Sequence, residues 1–161
     1  MIDDDVDTLW PAEPTSRRDT RVVAAVNGAY HAVTRRLELS TRDHGLDASE
    51  ALVLNALSRE PACPPWLVRR RTGLHRSTLA SILDRLECDD RIERGRSSVD
   101  GRRFEIRLTT LGRISADIAE LIVLEVEAEI AGYTSPAERR GAVAVFEACL
   151  AINRRDRSSY M

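Results

Sequence analysis

The sequence predicts a mainly α-helical fold with one small β-hairpin, formed by 161 residues as a single folded unit. Over most of the chain, apolar residues recur at the three-and-four spacing of one helical face. Near residues 92–108 the spacing changes to the alternation that is typical of a half-buried strand. Pro and Gly residues separate these segments, so the order of the helices around the hairpin follows from the sequence.

The N-terminal part is predicted to be an arm followed by a long helix. Residues 1–18 are acidic, contain Pro11 and Pro14 and lack sustained periodicity, which indicates a mobile arm or a short docking segment. Within this arm, Trp10 either packs onto the body or a partner or is exposed. Residues 19–45 carry apolar side chains on one face and predict an amphipathic helix with its closing turn.

Residues 46–112 are predicted to form a lobe that begins with three helices. Asp47 and Glu50 form a capping-box pattern at the start of the first helix. A short second helix ends at a turn in which Gly73 can supply a positive φ angle. A third helix starts near Arg76. The two short helices and the Gly turn between them are a candidate helix-turn-helix.

A β-hairpin is predicted next, with strands at 92–95 and 104–108. In the second strand, Phe104, Ile106 and Leu108 alternate with charged residues, which places these three on the buried face. The connecting segment is rich in Ser, Gly, Asp and Arg and predicts a polar, basic tip.

Residues 113–161 are predicted to contain two long helices. Thr109 or Thr110 caps the first of them, and Gly132 is expected to stop it. A second capping box begins at Ser135 and starts the last helix. The core face of this helix is expected to comprise Val143, Phe146, Cys149 and Leu150.

The charge distribution indicates a binding site for a polyanion. All 24 basic residues are Arg, which is typical of proteins from GC-rich bacterial genomes. Residues 69–113 hold twelve Arg against seven acidic residues, whereas the rest of the chain carries a net charge of −7. A basic segment in an acidic protein is typical of nucleic-acid binding, although a solvated surface with uneven charge gives the same pattern.

Several classes of protein are excluded. The apolar runs are far shorter than the roughly 18 residues that span a bilayer, so no membrane association is predicted. The N-terminus is acidic and does not resemble a signal peptide, so a cytoplasmic, nucleoid-associated protein is expected. The His residues share no Cys or acidic residue at metal-binding spacing, and no phosphate loop or nucleophile motif is present. Neither a metal, a cofactor nor enzymatic activity is therefore expected.

Five short motifs occur in an order that chance rarely produces. They are Gly73-Leu74-His75-Arg76-Ser77-Thr78-Leu79, Leu83-Asp84-Arg85-Leu86-Glu87, Ile92-Glu93-Arg94, Asp100-Gly101-Arg102 and Leu108-Thr109-Thr110-Leu111-Gly112. On these motifs, the segment from Leu46 to Gly112 resembles the multiple antibiotic resistance regulator (MarR) family of bacterial winged helix-turn-helix transcription factors. The resemblance implies a DNA-binding lobe between long dimerisation helices. The implied function is sequence-specific regulation of transcription, and the regulator is expected to be a repressor.

The third helix is implied to be a recognition helix in the major groove of duplex DNA. Such a groove is about 12 Å wide, and Ser, Thr and Arg side chains bond there to base edges or phosphates. Asp84 would repel phosphate, so it is expected to orient Arg85 or Arg76 or to accept from a cytosine amine. An ordinary solvated helix face is the alternative. The candidate recognition residues are Arg76, Ser77, Thr78, Ser81 and Arg85.

The hairpin is implied to be the wing that reaches the minor groove. A planar guanidinium suits a narrow minor groove, and the resemblance assigns this contact to Arg102, with Asp100 holding it in orientation. Neighbouring phosphates would be bound by Arg94, Arg96 and Arg103. A charged loop without a DNA contact is the alternative.

The resemblance further implies a homodimer, formed through residues 19–42, 113–132 and 136–155, on a pseudopalindromic operator. Three long helices with apolar faces are more than one small lobe needs to cover, although a helical subdomain within a monomer is an alternative. The resemblance also implies release from DNA by cysteine oxidation or by a small aromatic or phenolic effector. Its candidate contacts, chosen from expected position, are Tyr30, His31, Arg35, His44 and Trp66. The three Cys residues are interpreted as small apolar core residues.

A second hypothesis is a winged-helix adaptor that binds a protein partner. In this case the apolar helices or the acidic arm recruit the partner, and DNA contact is lost or secondary. Binding to duplex DNA that weakens steeply with salt distinguishes the two hypotheses, because phosphate neutralisation releases counterions.

Overall fold

The computed structural model describes residues 22–96, 101 and 104–155, with the side chains of 153–155 outside the description. The described residues form a mainly helical fold with one antiparallel hairpin, which confirms the predicted fold class. The elements are α1 (Val22–Thr41), a 3-10 turn (Arg42–His44), α2 (Ala48–Ser58), α3 (Pro65–Thr72), α4 (Arg76–Cys88), β1 (Ile92–Arg96), β2 (Phe104–Leu108), α5 (Thr110–Tyr133) and α6 (Pro136–Arg155). The acidic arm and Trp10 lie outside the described residues.

The main hydrophobic core lies between α2, α3, α4, the hairpin and the N-terminal half of α5. Leu57 of α2, Leu86 of α4 and Ile106 of β2 are fully buried in it. From α5, Ala116 and Ala119 are also fully buried, and their small side chains let α5 pack closely on this core. The described residues of α2, α3, α4 and the hairpin are here called the winged lobe, and the shared core holds α4 in place.

A smaller core joins the winged lobe to the long helices. It contains Leu37 of α1, Ala48 of α2, and Ile122 and Val126 of α5. At the surface, Arg36 of α1 reinforces this packing through hydrogen bonds and ion pairs with the carboxylates of two α5 residues, Glu125 and Glu129. The N-terminal half of α1 is largely exposed.

The predicted helix starts are confirmed by their hydrogen bonds. At α2, the Glu50 N–H donates to Asp47 Oδ1 at 2.7 Å and the Asp47 N–H donates to Glu50 Oε2 at 3.0 Å, which completes a capping box. At α5, Thr109 is the N-cap. At α6, the Ser135 N–H donates to Glu138 Oε2 at 2.7 Å and the Glu138 N–H donates back to Ser135 Oγ at 3.3 Å.

Gly73 and Gly132 behave differently at helix ends. Gly73 follows α3 with a φ angle of 71°, in the left-handed region that the predicted turn requires. The prediction that Gly132 stops α5 is wrong, because the helix continues to Tyr133 and is followed by Thr134 in an extended conformation. The change in chain direction between α5 and α6 therefore depends on the capping box of α6 and not on a glycine.

The hairpin pairs Ile92 with Leu108 at its base and Arg96 with Phe104 at its outer end. Cys63 adds a bridge to the sheet, through two backbone hydrogen bonds of 2.9 Å with Ile106. The prediction that Phe104 faces the core is wrong, since its side chain is 59% exposed. Its place at the outer end of the hairpin puts it beyond the reach of the core.

Large apolar surfaces of α5 and α6 remain exposed in the single chain. The face of α6 predicted as core is open to solvent, with Val143 54% and Phe146 41% exposed. On α5, Leu121 and Leu124 are 68% and 55% exposed and lie opposite the face that packs on the winged lobe. Within the described chain, no helix has the length and apolar character needed to cross a membrane.

Candidate nucleic-acid interface

The outer face of α4 presents a group of small polar and basic side chains. Its inner face is anchored by four buried residues, which fixes the opposite face toward solvent. All five predicted recognition residues are exposed, and four of them, Arg76, Ser77, Thr78 and Ser81, form this group. This surface is polar, compact and free of large apolar side chains, as a helix that enters a groove requires.

The first turn of α4 is ordered by hydrogen bonds of its own residues. His75 is the N-cap, and its Nδ1 accepts from the Ser77 N–H at 3.4 Å and lies 2.9 Å from Ser77 Oγ. Ser81 Oγ donates to the Ser77 carbonyl oxygen at 3.3 Å. These bonds hold the hydroxyl groups in position on the exposed face, where they retain acceptor capacity for a ligand.

The fifth predicted recognition residue, Arg85, is engaged with two carboxylates of α2. Its Nε donates to Glu50 Oε1 at 2.9 Å, and its Nη2 donates to Asp47 Oδ2. The hydrogen bond to Glu50, together with the charge of Asp47, raises the pKa of Arg85 above its usual value. The guanidinium is half exposed and keeps one edge toward solvent.

Arg94 of β1 is engaged in a similar way, with α4. Its Nη2 donates to Asp84, and its Nε donates to Glu87 Oε2 at 2.8 Å. Although burial works against its charge, the hydrogen bonds and the nearby carboxylates raise the pKa of Arg94. The expectation that Asp84 orients Arg85 or Arg76 is therefore wrong, because the partner of Asp84 is Arg94.

The described part of the wing contributes Arg96. Its Nη1 donates to the Gly101 carbonyl oxygen at 2.8 Å, and its guanidinium carbon lies 5.6 Å from the centroid of the Phe104 ring. The side chain is exposed and lies at the outer end of the hairpin. The other predicted wing residues, Asp100, Arg102 and Arg103, lie outside the described residues.

The predicted effector residues lie in two regions. Tyr30 and His31 are neighbours on α1, with ring centroids 5.3 Å apart in an edge-to-face arrangement. Arg35 of α1 and His44 of the 3-10 turn are also exposed, and both precede α2 in the chain. Trp66 lies on the winged lobe, where it lines an open cavity of about 600 Å³ with Pro64, Pro65 and Phe104.

The cysteines differ in their surroundings. Cys63 is fully buried, as expected for a core residue, and burial raises the pKa of its thiol. Cys88 is exposed at the C-terminal end of α4, so the interpretation of this residue as an apolar core residue is wrong. Among the described residues, no group of three or more His, Cys, Asp or Glu side chains is placed to hold a metal ion.

Two residues of the site, Asp47 and Glu50, were missed as partners of α4 by reasoning from sequence. Their spacing identifies them as a capping box, which explains only one oxygen of each carboxylate. Their bonds to Arg85 span 38 and 35 residues of chain, and no local pattern indicates such a pair.

Comparisons with known proteins agree with this fold. Residues 44–103 match the sequence model of the MarR family. The fold is similar to that of BpsR from Bordetella bronchiseptica, whose DNA binding is regulated by 6-hydroxynicotinic acid (TM-score 0.69, 21% identity, 84% of this chain and 97% of that chain). It is also similar to PcaV from Streptomyces coelicolor, solved with its natural ligand (TM-score 0.66, 22% identity, 85% of this chain and 98% of that chain). MepR from S. aureus, solved as a DNA complex, is similar with a TM-score of 0.70 and 18% identity. The match covers 83% of this chain and 98% of that chain. No curated protein matches the sequence.

Proposed function

Because residues 44–103 match the sequence model of the MarR family, we propose that this chain is a winged helix transcriptional regulator of that family and that it binds a specific operator in duplex DNA through α4 and the hairpin wing. The observation that carries the proposal is the exposed group Arg76, Ser77, Thr78 and Ser81 on α4, which lies within the segment that matches the family. The family consists of regulators and not enzymes.

In the proposed complex, α4 lies in the major groove. The hydroxyl groups of Ser77, Thr78 and Ser81 bond to base edges or phosphates, and Arg76 at the helix start binds a guanine or a phosphate. The wing lies over the adjacent minor groove, where Arg102 inserts and Asp100 orients it, while Arg96 and Arg103 bind phosphates. Arg94 is proposed to hold the wing against α4, since its donors are already on Asp84 and Glu87.

The operator-binding form is proposed to be a homodimer. Leu121 and Leu124 of α5 and Phe146 of α6 are exposed apolar residues on long helices, and a two-fold partner would cover them. Such a dimer presents two α4 helices to half-sites about one turn of DNA apart, which corresponds to a pseudopalindromic operator.

The proposed regulation is repression that a small aromatic or phenolic molecule relieves. Support comes from BpsR and PcaV, two proteins of similar fold that are described with a small-molecule regulator or ligand. In this chain the candidate contacts remain Tyr30, His31, Arg35, His44 and Trp66. As a DNA-binding protein, the regulator is proposed to reside in the cytoplasm with the nucleoid.

The experiment that tests DNA binding is a titration of the purified protein with the DNA upstream of its own coding region. We expect preference for this fragment over a shuffled control of equal composition. Binding to both is expected to weaken steeply between about 50 and 200 mM salt, because each neutralised phosphate releases counterions. Absence of binding to both fragments at either salt concentration would favour the protein-binding adaptor.

The Arg102→Ala variant is expected to lose about 1 to 3 kcal/mol of operator binding free energy, because a minor-groove guanidinium is removed. Its dimer should remain intact in light scattering. Arg140→Ala on α6 is the matched control, since it removes the same charge from a helix outside the winged lobe. Equal operator affinity of the Arg102→Ala variant and the wild type in one salt buffer would contradict the minor-groove role.

A further inference from the structure

We propose that Arg85 is a positioning residue, which acts through Asp47 and Glu50 to set the angle of α4 against α2. Operator recognition then depends on this angle and not on a contact of Arg85 with DNA. The inference rests on the proposed DNA-binding function and deepens it, because it assigns a source of specificity that lies beside the exposed polar group of α4.

The two carboxylates of α2 divide their oxygens between two tasks. Asp47 Oδ1 accepts from the Glu50 N–H at 2.7 Å, and Glu50 Oε2 accepts from the Asp47 N–H at 3.0 Å. The second oxygen of each accepts from Arg85, with the Glu50 Oε1 to Arg85 Nε distance at 2.9 Å. Four hydrogen bonds therefore form a closed ring that joins the first turn of α2 to the last turns of α4.

The charge balance argues against a role of Arg85 on DNA. One guanidinium faces two carboxylates, so the group carries a net negative charge. A DNA phosphate brought to Arg85 would also approach Asp47, whose side chain is half exposed. The N-terminal end of α2 stabilises both carboxylates, since a helix presents partial positive charge and free N–H groups there. The charges of this ring are therefore compensated in the absence of DNA.

The ring lies where the two hydrophobic cores meet. Ala48, next to Asp47, is buried in the small core with Ile122 of α5, and Leu86, next to Arg85, is fully buried in the main core. A shift of the long helices moves the first turn of α2 and, through the ring, α4. In a dimer that reads two half-sites at once, a small change in the angle of α4 alters both contacts.

The side of α4 opposite α2 is held by the wing. The ring therefore controls only the side of α4 that faces α2. Asp84 and Glu87 of α4 bond to Arg94 of β1. The last two turns of α4 are therefore fixed on both sides by ion pairs, whereas its N-terminal half carries the free polar surface. Disturbing one flank should tilt the helix without unfolding it.

The test uses Glu50→Gln and Asp47→Asn in the full-length protein. Gln keeps the capping-box acceptor and Asn is as good an N-cap as Asp, so both variants retain the start of α2. Each removes one of the two negative charges that face Arg85. Removal of a negative charge near DNA by itself tightens binding, whereas loss of the positioning ring weakens it. The sign of the change therefore separates the two effects.

We expect both variants to bind the operator about threefold to tenfold more weakly, as for loss of a half-exposed charged pair that also orients a helix. Binding to shuffled DNA, which does not depend on the angle of α4, should not weaken. Arg85→Ala should show the same loss, and the double variant Arg85→Ala, Glu50→Gln should be no worse than either alone. Asp43→Asn is the matched control, because Asp43 is exposed and has no ion pair with another described residue.

Two results would overturn the inference and leave the proposed function in place. One is weaker operator binding by Arg85→Ala with equal or tighter binding by Glu50→Gln and Asp47→Asn, which would make Arg85 a DNA contact. The other is additive loss in the double variant. A wild-type protein that fails to prefer its operator would instead overturn the proposed function itself. Circular dichroism of each variant verifies that the helices are retained.

Discussion

A Gly112→Ala variant is expected to lose more than about 3 kcal/mol of folding free energy, the range of severe overpacking. A Cβ atom at this position would overlap the Arg91 carbonyl oxygen and lie 2.8 Å from the carbonyl carbon. Both partners are backbone, so no side-chain rotation can relieve the overlap. Urea denaturation followed by circular dichroism measures the loss.

The close approach at Gly112 is part of a junction between α5 and the turn before β1. The Thr109 N–H donates to the Arg91 carbonyl oxygen at 3.2 Å, and Thr109 Oγ1 donates to the Asp90 carbonyl oxygen at 2.7 Å. To make room for a Cβ, α5 must move away from this turn and break these bonds. The wing and the long helix would then separate, so operator binding is expected to fall as well.

Gly132→Ala is the matched control for this variant. Gly132 lies on the same helix, and a Cβ added there meets nothing within 4 Å. Since Ala is favoured over Gly inside a helix, we expect unchanged stability or a gain of up to about 1 kcal/mol. A Gly112→Ala protein with the stability of the wild type would show that the junction can rearrange freely, and it would contradict the expected overlap with the Arg91 backbone.

A Leu121→Asp variant is expected to be a monomer at concentrations at which the wild type is a dimer. Leu121 is 68% exposed in the single chain, on the face of α5 opposite the winged lobe. In the proposed two-fold dimer, each partner would bury one unpaired carboxylate, at a cost of several kcal/mol per copy. We expect the dimer dissociation constant to rise by at least about a hundredfold, as measured by sedimentation equilibrium.

Operator binding by the Leu121→Asp variant should fall with the loss of the dimer, because a monomer contacts one half-site only. Leu121→Met is the matched control, since it conserves volume and apolar character and should remain a dimer. A Leu121→Asp protein that is still dimeric would place the subunit interface elsewhere. A wild-type protein that is monomeric and binds the operator would exclude the proposed dimer altogether.

Much of the local structure could be predicted from short stretches of sequence. The capping boxes at Asp47 and Ser135 are confirmed, because each depends on residues three positions apart. The buried stripe of α4 is confirmed for a similar reason, since helical spacing alone places its apolar residues on one face. The exposed polar group on α4 follows directly from that stripe.

Predictions from the sequence were wrong at the ends of elements and where the burial of a side chain depends on distant parts of the chain. Phe104 continues the alternation of β2, yet it is exposed because the core does not extend to the end of the hairpin. Glycine often follows the last turn of a helix, but Gly132 lies inside α5, where its φ angle is not positive. The apolar face of α6 is periodic, but Val143 and Phe146 on this face stay exposed in the described part of the chain.

By itself, the sequence determined the helix order, the caps, the polar face of α4 and the basic character of the segment that carries it. These depend on interactions within about four residues, whose geometry is the same in any protein. Only the tertiary structure decided that Arg85 bonds to Asp47 and Glu50 and that Arg94 bonds to Asp84 and Glu87. A guanidinium pairs with whichever carboxylates the packing of separate helices brings within about 3 Å, and spacing along the chain carries no record of that choice.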